Sequence, residues 1–599
     1  MKQGGSKAEP VQDAPVGTQV DAVIVGYGPV GAVTANLLGR EGLSVQVVEA
    51  TAEIFDKPRA ITFDHEVHRV FQWCGLGQAM ADITGPHPGT DYLGVQGQLI
   101  KRFDPQPPPY LLGWPSNSAF IQPEIEAVLR QGASRYPAVR VDLSAEAVQV
   151  RHLGGIEKNQ LNHKVTDDSV APDSVALGSV VPGSVELDWR DATGGRHRTR
   201  ARWLLACDGG SSFVRKQLSL PLEDLAFDEW WIVIDARADD DLPLPAKCIQ
   251  YCRPSRPGTF VRGPGSLRRW EIKLLPGETP EDFRDQAQVL RVLREFVDVS
   301  KLQLWRVAVY RFHALVAERW REGNVFLLGD AAHQTPPFLG QGLCAGVRDA
   351  ANLVWKLGLV HRGQAPDALL DSYQTERRPH VREVIAVTKD FGLIIGELDA
   401  EAARLRDQRL GAELHSGKAE VIRQRFIPGL VDGLLHRGAD GALGAAAGAL
   451  FPQPMLRTDN ALRSAQSAAG SSAGSSASSS ASSSARMDDL LCGDGINRFV
   501  LLLQDAALLQ SLQPGRLPAA LLALLQRLEV QVLLLSPAMS EQVPPGVRCI
   551  SETATMLADW LQGHAARAVL VRPDRYAYGV ASDAAQLHAL LASLDVQLR

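Results

Sequence analysis

The chain has 599 residues, which is long enough for several domains that each bury a core. Hydrophobic residues make up 45% and charged residues 22%, and the net charge of −6 offers no basic surface for nucleic acid or an acidic membrane. No apolar run is long enough to cross a bilayer, and residues 1–19 read as a disordered tail rather than a signal peptide. The seven cysteines lack the spacing of a zinc site or a disulfide framework, which favours a reducing cytoplasm.

The first motif lies in residues 21–50, where the pattern predicts strand, turn, helix and strand. The turn reads G-x-G-x-x-G, and its glycines allow a tight turn, a close approach of backbone to pyrophosphate, and close packing of the helix on the sheet. An acid at the end of the second strand can accept from ribose hydroxyls. The residues alone do not choose between FAD and NAD. The predicted nucleotide-binding residues are Gly26, Gly28, Pro29, Val30, Gly31, Glu49 and Ala50.

Two further motifs follow predicted strands. Asp208 begins an Asp-Gly turn after the strand 202–206, and such a turn taken alone is usually only a turn. Gly329 and Asp330 end a second buried strand, at the edge where open α/β sheets bind ligands. The following loop, up to Gly342, can direct backbone N–H groups at an electron-rich ring.

Together, in this order, the three motifs resemble those of the single-component flavoprotein aromatic hydroxylases, over about residues 21–379. The resemblance implies FAD as cofactor and NADH or NADPH as co-substrate. It assigns Asp330 to the ribityl chain, Arg59 to a loop near the flavin, and Gln122 to an FAD contact. Ser211 stands where many members of the family have Arg, which puts the docking of the nicotinamide donor in doubt.

The stretches 58–66, 268–271 and 274–278 are similar to the hydroxylases of 3-(3-hydroxyphenyl)propionate and 3-hydroxycinnamate within that family. This implies ortho-hydroxylation of a phenolic acid by O₂ through a flavin C4a-hydroperoxide. An oxidase, reductase or halogenase on the same scaffold is the enzymatic alternative. An FAD-binding scaffold that recruits partners is the non-enzymatic one.

Candidates for activating the phenol are Tyr310 and His313, with Asp64 and His65 as second choices. Packing roles in the core are at least as common for such residues. Three arginines could pair with a propionate carboxylate, or they could be solvated charges at a strand edge. These arginines are Arg262, Arg268 and Arg269. The sequence D-H-E-x-H at 64–68 has no complementary ligand cluster, so we predict no metal site.

The predicted fold is α/β. A Rossmann-type FAD-binding domain over 20–400 is interleaved with a mostly antiparallel substrate sheet at about 90–130 and 220–315. A helical connection over 401–463 and a flexible Ser/Ala-rich linker over 464–487 follow. Residues 488–599 resemble the thioredoxin-like tail of this hydroxylase group, but they lack C-x-x-C, so we expect a structural role or a homodimer contact. A Ser-Val repeat near 168–185 reads as an expanded surface loop.

Overall fold

The structure is a computed structural model that describes residues 16–153, 183–239, 241–457, 484–493, 495–536 and 543–599. Nearly all of the predicted tail, the Ser-Val repeat and the Ser/Ala tract lie outside the described residues. Two boundaries differ from prediction. Residues 16–19 of the predicted tail begin a strand because they pair with the strand at 196–206, and residues 484–487 of the predicted linker enter a strand and a helix.

A parallel sheet forms the centre of the nucleotide-binding part. As expected where both faces of a sheet are covered, buried and mainly apolar runs (22–25, 45–48, 203–206 and 325–327) lie on four of its five parallel strands. In spatial order they are Val325–Leu327, Arg196–Ala206, Val16–Val25, Val45–Glu49 and Val139–Leu143. Antiparallel additions complete the eight strands, at Glu146–Leu153, Ser184–Arg190 and Arg321–Glu322.

Helices cover this sheet. The helix Pro29–Arg40 packs between the helices Gln122–Ala133 and Gly342–His361. Of its first eight buried residues, seven have small or branched side chains, which permit close approach of the neighbouring helices. The helix ends at Arg40, and Gly42, with φ +81°, turns the chain into the next strand. The other helices of this part are His65–Trp73, Gly77–Ile83, Phe213–Gln217, Ser372–Gly396 and Ala400–His415.

A second eight-stranded sheet is almost entirely antiparallel, as predicted. One face is apolar and packs on the helix Gln286–Leu293, while the other faces the nucleotide-binding part. In spatial order its strands are His333–Gln334, Leu302–Ala317, Leu222–Ala238, Leu267–Lys273, Gly258–Arg262, Cys248–Tyr251, Thr90–Leu93 and Leu99–Phe103. A small third sheet joins Thr62–Asp64, Asn117–Ala119 and Gly85–Pro86.

The C-terminal domain is a five-stranded mixed sheet with helices. In spatial order its strands are Val547–Ile550, Gln531–Leu535, Val500–Leu503, Ala568–Val571 and Ala577–Ala581, and the last two run antiparallel. Its helices are Met487–Leu491, Ala506–Ser511, Ala519–Arg527, Met556–Gly563 and Ala584–Gln597. A thioredoxin-like classification of this domain stays a prediction. A two-stranded ribbon, Met455–Arg457 with Ser484–Arg486, precedes it.

Between the helix Ala400–His415 and the ribbon, the chain is mostly irregular. Its regular element is the short 3₁₀ helix Arg423–Phe426, so the predicted helical connection is helical only in part. Within the described ranges, no helix combines the length and apolar character needed to span a bilayer.

Candidate functional site

The three sequence motifs meet at one edge of the parallel sheet. A Cβ atom on Gly26 would lie 2.5 Å from the carbonyl oxygen of Cys207, and one on Gly31 would lie 2.1 Å from that of Gly26. A Cβ on Gly329 would lie 3.1 Å from Cγ2 of Val30. The Asp-Gly and Gly-Asp motifs therefore pack directly against the glycine-rich turn.

The glycine-rich turn leaves an open space at its centre. Gly28 has an extended backbone (φ −68°, ψ −172°), and a Cβ there would have no neighbour within 4 Å. Pro29 is the first residue of the helix, and no side chain caps its free N–H groups. The first-turn amides of Val30 and Gly31 therefore face a position suited to a phosphate group.

Glu49 organises the adjoining loop at the end of its strand. Its carboxylate accepts from the backbone N–H of Tyr27 at 2.6 Å and from the N–H and hydroxyl of Thr51 at 2.8 and 2.6 Å. Ala50 is exposed beside it. The acid is thus held at the mouth of the same crevice as the glycine-rich turn.

A polar anchor fixes the loop that carries Arg59. The side-chain oxygen of Gln122 accepts from the N–H of Ala60 at 2.7 Å, and Arg269 donates to the carbonyl of Arg59 at 2.6 Å. The Arg59 guanidinium lies 4.7 Å from the ring of Phe55. The loop thus holds a cation over the crevice while its backbone is tied to both sheets.

Asp208 closes the second motif. Its carboxylate accepts from the N–H of Val214 at 3.1 Å, and its other oxygen is buried without a hydrogen-bond partner. Burial raises the pKa of this carboxyl. The following cation, Arg215, donates to the carbonyls of Gly210 and Ala331 at 2.8 Å each, which ties the second motif to the third.

Asp349 organises the third motif, a role that the sequence prediction missed. It accepts from the N–H of Gly329 at 3.0 Å, contacts Nε2 of His333 at 2.7 Å and pairs with Arg377 at 3.0 Å. Burial alone would raise the pKa of Asp349, but His333 and Arg377 outweigh burial and lower it. The sequence offers only a weak signal for this role, an acid within a mainly apolar helix that also carries Arg348, Asn352 and Lys356.

Asp330 and Gly342 border open space next to this anchor. The Asp330 side chain is solvent-accessible but sits deep between neighbouring elements, so desolvation raises its pKa, opposed by His333 and Arg59. Gly342 begins the helix Gly342–His361, and a Cβ there would meet no atom within 4 Å. The three predicted motifs therefore lie together at this edge of the sheet, and of the predicted cofactor-binding residues Arg59 and Gly342 border the cavity described next.

A cavity of about 190 Å³ lies where this crevice meets the antiparallel sheet. It is bounded by the loop 59–62, by the loop 335–343 that follows the Gly-Asp motif, and by side chains from the sheet. Its apolar wall includes Tyr92, Phe103, Phe338 and Leu339. The polar side chains of the lining come from six separate stretches of chain: His87, Thr90, Gln250, Thr259, Arg269, Glu271, Thr335 and Arg423.

Glu271 is the carboxyl group in this lining. It is buried on the strand Leu267–Lys273, and burial raises its pKa; Arg269, 3.8 Å away, opposes this effect and Asp235 adds to it. Nearby, the hydroxyl of Thr259 donates to Gln250 at 2.5 Å. His87 is held neutral because burial, helped by Arg423, lowers its pKa to about 3.

The predicted catalytic residues lie elsewhere. Tyr310 is 38% exposed, stacks on Phe312 and lies near Arg306, and His313 contacts Asp228 at 3.6 Å. Neither lines the cavity. They share the strand Leu302–Ala317, second from one edge of the sheet, and the strand Leu222–Ala238 separates it from Leu267–Lys273, whose side chains reach the cavity.

The second-choice residues are structural. Asp64 caps the helix His65–Trp73 and pairs with Arg348 at 2.6 Å; burial would raise its pKa, but Arg348 lowers it to about 2. Burial lowers the pKa of His65 to about 4. His68 stacks on Trp114. The described part of the chain holds no group of three or more His, Cys, Asp or Glu suited to a metal ion.

Of the three predicted carboxylate-binding arginines, only Arg269 reaches the cavity. Its charge is already matched by Asp235 at 2.7 Å. Arg262 donates to the carbonyl of Pro245, and Arg268 donates to carbonyls in its own hairpin. The sequence alone could not show which of these arginines reaches the cavity, because strand pairing decides which face of the sheet each side chain occupies.

Comparison with known proteins agrees with this geometry. The family model described as an FAD binding domain matches residues 19–171 and 182–388, and one described as the HcaD C-terminal domain matches residues 477–597. A 3-(3-hydroxy-phenyl)propionate/3-hydroxycinnamic acid hydroxylase of Escherichia coli strain K12 is 36% identical over 450 residues, 74% of this chain and 75% of that protein. Its counterpart in Shigella sonnei matches to the same extent.

Solved structures share the fold at low identity. The flavin-dependent monooxygenase PieE, in complex with FAD and substrate, superposes with a TM-score of 0.71 at 20% identity and covers 97% of this chain and 99% of its own. Aklavinone-11 hydroxylase, with FAD and aklavinone, gives a TM-score of 0.68 at 20% identity, with 98% and 99% covered.

Proposed function

Because the chain belongs to the FAD-binding-domain family of flavin-dependent hydroxylases, we propose that it hydroxylates a single-ring phenolic acid at the carbon next to the hydroxyl group. In the balanced reaction, NAD(P)H, H⁺, O₂ and the phenol give NAD(P)⁺, water and a catechol. The named relatives point to 3-(3-hydroxyphenyl)propionate or 3-hydroxycinnamate as the substrate class. A cytoplasmic location and a homodimer stay predictions from the sequence.

The volume of the cavity is the observation that supports a single-ring substrate. A cavity of roughly 150 Å³ is enough to hold benzene, and pockets for drug-sized ligands start near ~300 Å³. The volume of about 190 Å³ therefore suits one aromatic ring with a short substituent.

The crevice fits FAD. Open space at Gly28 and Gly342 leaves room for a pyrophosphate and a ring system, and the orphaned oxygen of Asp208 offers an unused acceptor. Gly28, Glu49, Gln122 and Asp330 would hold the cofactor. When bound, FAD supplies the redox chemistry that joins NAD(P)H oxidation to O₂ reduction.

Within the cavity, Glu271 is placed to accept the proton of the phenol. Removing this proton makes the ring more electron-rich and more reactive toward an electrophilic oxygen. A carboxyl whose pKa is raised by burial is a stronger base than an ordinary one. Gln250 and Thr259 offer hydrogen bonds to the same oxygen or to its neighbour.

The apolar residues exclude water. Phe338 packs on Phe312 and Trp231, and Leu339 is almost fully buried. A dry pocket prevents reducing equivalents from being lost as hydrogen peroxide. The loop 335–343 thus forms one wall of the cavity and shields it from solvent.

A substrate screen tests the proposal. The FAD-loaded protein is mixed with NADH or NADPH and, in turn, 3-(3-hydroxyphenyl)propionate, 3-hydroxycinnamate, hydroxybenzoate and simple phenols. We expect one phenolic acid to stimulate NAD(P)H oxidation and to give catechol in equal amount. Hydrogen peroxide in place of catechol with every phenol would favour an oxidase, and a flavin that no nicotinamide reduces would favour a binding scaffold.

A further inference from the structure

Arg423 is a buried cation with no counter-ion. Its only assigned hydrogen bond goes to the carbonyl of Leu339, its Nε has no partner, and no carboxylate in the described ranges pairs with it. Arg215, which is also buried, is held by the carbonyls of Gly210 and Ala331, and several other deeply buried arginines are paired with acids. Such pairs are Arg348 with Asp64 and Glu66, Arg377 with Asp349, Arg69 with Asp488, and Arg572 with Glu376 and Asp574.

An unpaired buried charge is costly. Moving an ion out of water costs several kcal/mol even after the protein relaxes, and the cost is offset only by a nearby opposite charge and good hydrogen bonds. Leu339 supplies one carbonyl dipole, which satisfies one N–H of five. The guanidinium of Arg423 is therefore incomplete without an anionic ligand.

The position of Arg423 defines where that anion would lie. The side chain borders both the main cavity and a smaller adjoining cavity of about 50 Å³, which it shares with His87, Thr90 and Phe103. The neighbouring His87 is neutral, so it neither repels an anion nor supplies one. Arg423 thus marks one polar end of a cavity whose wall also carries Glu271.

We propose that Arg423 binds the carboxylate of the substrate and thereby selects phenolic acids over neutral phenols. The assignment rests on the proposed function and adds the residue that recognises the acid. Guanidinium and carboxylate match in bidentate geometry, and their hydrogen bonds are about twice as strong as neutral ones. Arg269 cannot fill this role, because Asp235 and two carbonyl groups already occupy its donors.

The test compares an acid with its neutral counterpart in the FAD-loaded protein. Binding of 3-phenylpropionate and of 3-phenylpropanamide, neither of which has a phenol group, is followed by the change in flavin absorbance. Turnover of 3-(3-hydroxyphenyl)propionate and 3-ethylphenol is measured alongside. The variants are Arg423→Gln and Arg423→Lys. The control is Arg425→Gln on the same 3₁₀ helix, because the exposed side chain of Arg425 pairs with Glu420 outside that helix.

We expect Arg423→Gln to weaken binding of the acid on the order of 100-fold, equivalent to the loss of one charge-assisted pair. Binding of the amide should stay within a factor of about three, and Arg423→Lys should recover part of the preference for the acid. Arg425→Gln should match the wild type. Because the comparison is a ratio of two ligands, a general disturbance of the loop at Leu339 would affect both and leave the ratio intact.

An unchanged preference for the acid in Arg423→Gln would overturn the assignment, as would equal loss of both ligands. Failure of the proposed function gives a different result: the wild type would turn over no phenol at all, while its discrimination between 3-phenylpropionate and the amide could still be measured.

Discussion

The hydroxyl of Tyr576, in the C-terminal domain, donates to Oε1 of Glu66 at 2.8 Å. Glu66 belongs to the helix His65–Trp73, which follows the loop that carries Arg59. Arg348 continues the chain of contacts by pairing with Glu66 and by donating to Gln341 at 3.0 Å. Gln341 precedes the helix that begins at Gly342. The C-terminal domain is therefore connected by buried hydrogen bonds to the loop that borders the cavity.

Replacing Tyr576 by Phe should loosen that loop. The change leaves Oε1 of a buried carboxylate without its donor, which costs about 1–3 kcal/mol. We expect a lower free energy of unfolding and weaker FAD retention, measured by denaturant titration and by flavin released on dilution. Tyr578→Phe is the matched control, since its hydroxyl bonds to Ser593 within the C-terminal domain. Equal FAD loss in both variants would contradict a specific link.

Changing each glycine of the first motif to Ala should affect either the stability of the fold or the affinity for FAD, depending on the position. Ala at position 26 or 31 would collide with backbone atoms, so Gly26→Ala and Gly31→Ala should destabilise the fold itself. Gly28→Ala meets no protein atom, and its backbone angles suit any residue. We expect Gly28→Ala to keep its melting temperature as apoprotein but to lose FAD affinity. A drop in apoprotein stability equal to that of Gly26→Ala would disprove this division.

The two acids of the third motif should also behave differently. Asp349→Asn leaves Arg377 buried and unpaired, and we expect a loss of about 3–5 kcal/mol at neutral pH. Because the folded-state pKa of Asp349 is lowered, its contribution is present above the unfolded pKa and is lost on acidification. The difference between wild type and Asp349→Asn in denaturant titrations should therefore shrink below about pH 4.

Asp330→Ala should instead affect the cofactor. Its side chain makes no assigned hydrogen bond in the described structure, so the apoprotein should keep its stability while FAD dissociates more readily. Full FAD occupancy after dialysis of Asp330→Ala would remove Asp330 from the cofactor site.

Glu271→Gln should separate stability from activity. The folded-state pKa of Glu271 is raised, so its contribution to stability is present below the unfolded pKa and is lost as pH rises through the folded pKa. The neutral amide avoids that loss, and we expect higher stability at pH 7 with kcat lower by on the order of 100-fold. The wild-type pH profile of kcat should rise through the folded pKa of Glu271 and flatten in the variant. An unchanged profile would exclude Glu271 as the base.

The sequence was sufficient to identify the three motifs that meet at one edge of the parallel sheet, and insufficient to identify the cavity. Gly26, Gly28 and Asp330 are recognisable because each lies in a short motif whose function depends on local geometry. The polar lining of the cavity comes from six separate stretches of chain, and only strand pairing brings Thr90, Gln250 and Glu271 onto one face.

Glu271 shows what the alternation of polar and apolar residues alone does not reveal. It occupies the polar position between Trp270 and Ile272, which is typical of a solvent-facing side chain. In the structure that face is covered by the nucleotide-binding part, so the polar position is buried and lines the cavity instead. Arg423 lies in a short 3₁₀ helix without any sequence motif, and only the three-dimensional structure shows that no carboxylate among the described residues pairs with it.

The most direct test of the account is the fate of molecular oxygen. The FAD-loaded protein is supplied with NAD(P)H, 3-(3-hydroxyphenyl)propionate and isotopically heavy O₂, and the product is analysed by mass spectrometry. We predict one heavy oxygen atom in the new hydroxyl group of the catechol, with catechol formed in an amount equal to the NAD(P)H oxidised. NAD(P)H oxidation that yields only heavy hydrogen peroxide and unchanged phenol, with this and every other single-ring phenolic acid, would contradict it.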